Sequence, residues 1–136
     1  HGELASRAVV GFGDAGARSG YVREHFAART RRLGAALLLE PACLELLRSP
    51  SSSEALRVAS FGGGPGEVAL ALAVCRAVLC PGSREGRHLE ISLLDWEPGW
   101  QDCAEHVTAE LRRSGLLQHA DEVLFDGADV TKAIHE

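Results

Sequence analysis

The chain has little of what several large classes of protein require. The apolar run from Val68 to Leu79 is too short and too rich in alanine to cross a bilayer. No amino-terminal secretory signal pattern is present, so the expected setting is intracellular, cytoplasm or nucleus. The four cysteines, Cys43, Cys75, Cys80 and Cys103, form no C-x-x-C pair and are expected to be buried free thiols. Cys103 and His106 have ligand-like spacing, but no second pair accompanies them, so no metal is expected. No lysine or arginine follows the glycines at 62–66 before Arg76, and G-x-x-x-x-G-K-[ST] is absent, which excludes a triphosphate-binding P-loop. What remains is 136 residues, 46% hydrophobic and 24% charged, enough for one soluble domain with its own core.

The informative stretch is residues 58–66, Val-Ala-Ser-Phe-Gly-Gly-Gly-Pro-Gly, followed by Glu67 and the apolar run. It reads as a strand over Leu56 to Phe61, a glycine turn and a buried helix. Glycine admits positive φ and close approach of a ligand to the backbone, and the helix start presents unpaired N–H groups. The dinucleotide fingerprint G-x-G-x-x-G would need its third glycine at position 67, where the chain has Glu67. A carboxylate there suits the helix dipole but repels a pyrophosphate, so the expected ligand is not phosphate-rich.

A second strand follows. Leu89, Ile91 and Leu93 alternate with Glu90 and Ser92, and Leu94 leads into Asp95-Trp96-Glu97-Pro98-Gly99, which puts Asp95 at the carboxyl end of the strand. The turn residues of 80–87 read as an inserted polar loop before it. Cys103, Val107 and Leu111 mark an amphipathic helix closed by Arg112, Arg113 and Gly115. Glu122-Val123-Leu124-Phe125 is a third short strand, leading into Asp126-Gly127-Ala128-Asp129. Strands alternating with helices, with crossovers longer than a dozen residues, predict a parallel α/β sheet in the order 3-2-1.

In these elements the chain resembles the class I, Rossmann-like S-adenosylmethionine-dependent methyltransferases over residues 56–131. The Gly62-Gly63-Gly64-Pro65-Gly66 loop matches their G-x-G-x-G turn without a gap. The resemblance implies a cofactor site for S-adenosyl-L-methionine made of Ser60, Phe61, Gly62, Gly63, Gly64, Gly66, Asp95, Trp96, Ala128 and Asp129. Asp95 would accept the ribose hydroxyls, Trp96 would lie against the adenine and Asp129 would approach its amino group. Ser60 stands where many members carry the acid that engages the methionine end; its hydroxyl can hydrogen-bond but offers no charge. No catalytic residue is assigned, because methyl transfer from a sulfonium needs chiefly orientation and desolvation.

The first 50 residues differ in character, with seven arginines against five acids, whereas the remainder is net −7 within a total of −5. A helical stripe runs from Tyr21 through Val22, Phe26, Leu33 and Leu37, with Arg23, Arg29, Arg31 and Arg32 largely off it, and the glycines at 11, 13, 16 and 20 suggest a mobile loop before it. Residues 1–50 are therefore expected to be a helical segment covering the pocket, with Tyr21 and Phe26 as lid residues. Residues 51–136 are expected to be the cofactor-binding half-domain.

The family's sheet has seven strands, and three are legible here. The chain opens on His1, which favours a trimmed chain, and the missing half of the sheet is expected from the rest of the protein or from a partner. The expected function is that of a methyltransferase, its acceptor (protein, RNA or small molecule) open. The alternatives are an inactive methyltransferase-like interaction module and a domain binding another adenosine cofactor such as NAD.

Overall fold

The computed structural model describes residues 11–48, 54–81 and 86–127. Its centre is a three-stranded parallel sheet of β1 (Leu56–Phe61), β2 (Leu89–Leu94) and β3 (Glu122–Asp126), in the order β1-β2-β3. Leu56 pairs with Leu89 and Phe61 with Leu94, while Ile91 pairs with Val123 and Leu93 with Phe125. The predicted parallel α/β class and the 3-2-1 order are what the chain adopts. Among the described residues, no helix is long and apolar enough to cross a membrane.

The period-two alternation decides which face of the sheet is covered. Leu56 and Val58, then Leu89, Ile91 and Leu93, then Val123 and Phe125 share one face and join one core with Ala69, Leu72 and Ala73 of α4 (Glu67–Leu79) and Ala104 and Leu111 of α5 (Gln101–Arg113). A sheet that grows in one direction through crossovers of one hand carries its connecting helices on one side. The opposite face holds Arg57, Ala59 and Phe61, then Glu90, Ser92 and Leu94, then Glu122, Leu124 and Asp126. No buried residue lies on that face; Phe61 is 68% and Leu124 62% exposed, and Arg57 bridges to its register partner Glu90 at 3.0 Å.

The amino-terminal segment differs from its expectation at its start. Gly16 and Gly20 lie inside α1 (Ala15–Tyr21), which runs without a break through a π-helical turn (Val22–Phe26) into α2 (Ala27–Leu39). Each glycine costs a helix interior about 1 kcal/mol, and local bonds offset that cost. The Asp14 carboxylate accepts from Ala17 N at 2.9 Å as an N-cap, and Arg18 donates from Nη1 to the carbonyls of Phe12 and Gly13. Next, α2 and α3 (Pro41–Arg48) pack on α4, and Leu37, Leu38 and Leu47 join the core of the sheet. The residues of 1–50 that are described and those of 51–136 thus share one core.

A buried ion pair ties the layers together. Arg76 of α4 donates two hydrogen bonds of 2.6 Å to the Asp121 carboxylate and also donates to the carbonyls of Arg87 and Leu116. Asp121 further accepts Leu89 N at 2.8 Å and Gln118 N at 2.6 Å. Burial works against the Asp121 charge, but the Arg76 guanidinium and these two amides outweigh it and hold its carboxyl below the ordinary value. The cysteines divide: Cys75 is buried, and its thiol is pushed up by that burial, whereas Cys43, Cys80 and Cys103 are only partly covered.

Candidate functional site

At the carboxyl end of β1 the chain turns sharply on its glycines. Gly62, Gly64 and Gly66 have φ of +68°, +47° and +98°, a region that other residues enter only with strain. Gly62 N and Gly63 N both donate to the Leu94 carbonyl, at 2.7 and 3.0 Å, which fastens the turn to the end of β2. A Cβ on Gly63 would come within 3.0 Å of Leu93, so this glycine is required by packing against β2. Gly66 precedes α4 and lies against Leu93, Val107 and Ala104.

Asp95 leaves the end of β2 and is 6% exposed. Its Oδ2 accepts Gly64 N at 2.9 Å and its Oδ1 accepts Glu97 N at 2.9 Å, so one carboxylate braces the glycine turn and the turn that follows β2. Glu97 accepts Gly99 N at 2.9 Å and caps the short 3₁₀ turn Pro98–Trp100. That turn delivers Trp100, only 3% exposed, beneath the site, while Trp96 stands at the rim with 64% of its surface open.

These pieces enclose a cavity of about 190 Å³. The glycine turn contributes Gly62, Gly64 and Pro65, and the region after β2 contributes Asp95, Trp96, Glu97 and Trp100. Glu67 enters from the first turn of α4, and the amino-terminal segment adds Phe12, Tyr21 and Arg29. Phe12, Tyr21 and Trp100 form an aromatic cluster with ring centroids 5.1 to 5.5 Å apart. Tyr21 Oη donates to Glu67 Oε1 at 2.8 Å and accepts from Arg29 Nη1 at 2.7 Å. Burial, then the bond to Glu67 and its charge, push the Tyr21 phenol above its ordinary value against the opposing pull of Arg29, so the phenol stays protonated at neutral pH.

Of the residues expected at a cofactor site, Gly62, Gly64, Asp95 and Trp96 line this cavity. Gly63 and Gly66 shape the turn behind it. Ser60 is partly buried in β1 on the helix-covered side, and Phe61 points to the uncovered face of the sheet; neither lines the cavity. Ala128 and Asp129 lie outside the described residues. Tyr21 does sit over the cavity, but Phe26 faces two other hollows, one between α2 and α4 and one beside Cys103 and Val107. Arg29 is exposed, off the apolar stripe as expected, and reaches Tyr21, donating from Nη1 to its Oη at 2.7 Å.

Sequence reasoning missed Phe12, Arg29, Pro65, Glu67, Glu97 and Trp100 as lining residues. Trp100 carries a signal in hindsight, since a tryptophan just after a Pro-Gly turn at a strand end is placed to fill the space below it. Arg29 carries none, because its approach depends on the π-helical turn between it and Tyr21.

The lining holds three carboxylates, Glu67, Asp95 and Glu97, against one guanidinium, Arg29. Such a site suits a ligand that carries positive charge and hydroxyl or amino donors, and it disfavours phosphates. No protein-family model, curated protein or solved structure matches the chain.

Proposed function

We propose that the protein binds S-adenosyl-L-methionine at the cavity between the 62–66 turn and Asp95, as the amino-terminal half of a class I methyltransferase domain. The observation that carries this reading is the lining itself: a backbone cradle of positive-φ glycines facing a carboxylate at the next strand end, with acids outnumbering the one base. S-adenosylmethionine combines a sulfonium, an ammonium and a carboxylate, so its net charge is positive where that of NAD is negative. The vicinal ribose hydroxyls would donate to Asp95, whose oxygens each retain a lone pair beyond the one taken by Gly64 or Glu97. Trp96 at the rim offers an aromatic face for adenine. In a full seven-stranded sheet, further strands would continue from the outer edge of β1, and helices would cover Phe61 and Leu124.

The cavity of about 190 Å³ is smaller than the roughly 300 Å³ at which small-molecule pockets begin. The cavity would hold part of the cofactor, and the rest would extend past its rim, where Trp96 is 64% exposed. In the mechanism this chain's residues bind, orient and exclude water; the methyl group and its leaving group belong to the cofactor. The exposed apolar side chains of the second sheet face favour one further reading, a methyltransferase-like interaction module without activity.

Calorimetric titration of the full-length protein with S-adenosylmethionine, S-adenosylhomocysteine and NAD tests the reading. Binding of the first two and not of NAD is expected. Binding of NAD alone, or of none of the three, contradicts it, and binding without methyl transfer to any acceptor favours the interaction module.

A further inference from the structure

One end of the cavity carries charges for which a ribose and an adenine have no use. Arg29, Tyr21 and Glu67 form a chain of two hydrogen bonds, guanidinium to phenol at 2.7 Å and phenol to carboxylate at 2.8 Å, and all three side chains line the cavity. The phenol holds a cation and an anion on either side of itself, and among the described residues Arg29 makes no ion pair. A cation and an anion bonded to the same phenol oxygen match a zwitterion, an α-ammonium beside an α-carboxylate.

We infer that Arg29 and Glu67 bind the amino-acid end of the cofactor, Arg29 pairing with its carboxylate and Glu67 with its ammonium. This rests on the S-adenosylmethionine reading above. It also answers a gap in that reading, because Ser60 brings no charge to the methionine end and does not line the cavity. The other two lining acids are less suited. Asp95 accepts Gly64 N and Glu97 N and has its remaining lone pairs assigned to the ribose, and Glu97 accepts Gly99 N within its own turn. Glu67 accepts a hydrogen bond from a phenol and stands in the first turn of α4, directly after the glycine turn. The phenol is a neutral partner for both ends of this chain, whereas a ligand carboxylate on Arg29 and a ligand ammonium on Glu67 would add Coulomb attraction to the hydrogen bond.

The experiment compares S-adenosylhomocysteine with 5′-methylthioadenosine, which keeps the adenosine and the thioether sulfur but lacks the amino-acid end. Dissociation constants are measured by calorimetry for the full-length protein, for Arg29→Gln and for Glu67→Gln. Each substitution is expected to weaken S-adenosylhomocysteine by about tenfold, the loss of one charge-assisted contact, and to leave methylthioadenosine within about twofold. The unchanged affinity for methylthioadenosine also shows that the variants are folded. An equal loss on both ligands, or no loss on either, overturns the assignment while leaving the cofactor reading in place. Failure of the unsubstituted protein to bind either ligand overturns the cofactor reading and this inference with it.

Discussion

At Asp95 the two carboxylate oxygens hold Gly64 N and Glu97 N, so the residue that faces the cavity also sets the shape of its walls. Asp95→Asn replaces one acceptor with a donor and turns it toward a backbone N–H. The expected cost is about 1 to 3 kcal/mol of stability, read from urea unfolding, together with weaker S-adenosylhomocysteine binding. Unchanged stability would show that the brace contributes nothing. Asp95 was legible in the sequence because the alternation of Leu89, Ile91 and Leu93 counts forward to it without ambiguity. The three positive-φ glycines were legible for a similar reason, since no other residue suits a strand-to-helix turn of that kind. Arg29 and Trp100 were not, because their positions follow from how the amino-terminal helices and the 98–100 turn dock on the sheet, which no local spacing encodes.

Elements were read from the sequence in proportion to their periodicity. The three strands and the helices α4 and α5 follow from alternation, apolar runs and the Gly115 end signal, and Gly115 does take a positive φ of +78°. The helix α1 was hidden by Gly16 and Gly20, whose intrinsic preference against helix yields to the Asp14 cap and to the packing of Tyr21 on Phe12 and Trp100. The pairing of Arg76 with Asp121 was also hidden, because an arginine within an apolar helix and an acid ahead of a strand look unrelated until the fold brings α4 beside the start of β2 and β3. Asp121→Asn breaks this buried pair and leaves Arg76 uncompensated, with an expected loss of about 3 to 5 kcal/mol at neutral pH. The folded-state pKa of Asp121 lies below the ordinary value of 3.8, so its contribution is fully present above that value and is lost as pH falls through the folded pKa. Urea midpoints measured across the acid range should therefore fall for the natural protein, and the Asn variant should lack this component of the slope. A variant with the natural protein's stability and slope would show that the pair is not formed.

The whole molecule has one dressed face and one bare one. Helices cover the side of the sheet that carries Leu89, Ile91 and Leu93, while Phe61 and Leu124 stand open on the other, and within the described residues β1 is bonded only to β2. Parallel sheets are ordinarily covered on both faces, and in this one the described residues cover a single face. The cavity sits where a ligand site is expected in such a fold, beyond the carboxyl ends of β1 and β2. A crystal structure of the full-length protein grown with S-adenosylhomocysteine tests the central claim most directly. The account predicts ligand density between the 62–66 turn and Asp95, with the ribose on Asp95 and the amino-acid end toward Arg29 and Glu67. An unfilled cavity at saturating ligand, or a ligand bound elsewhere on the molecule, would contradict it.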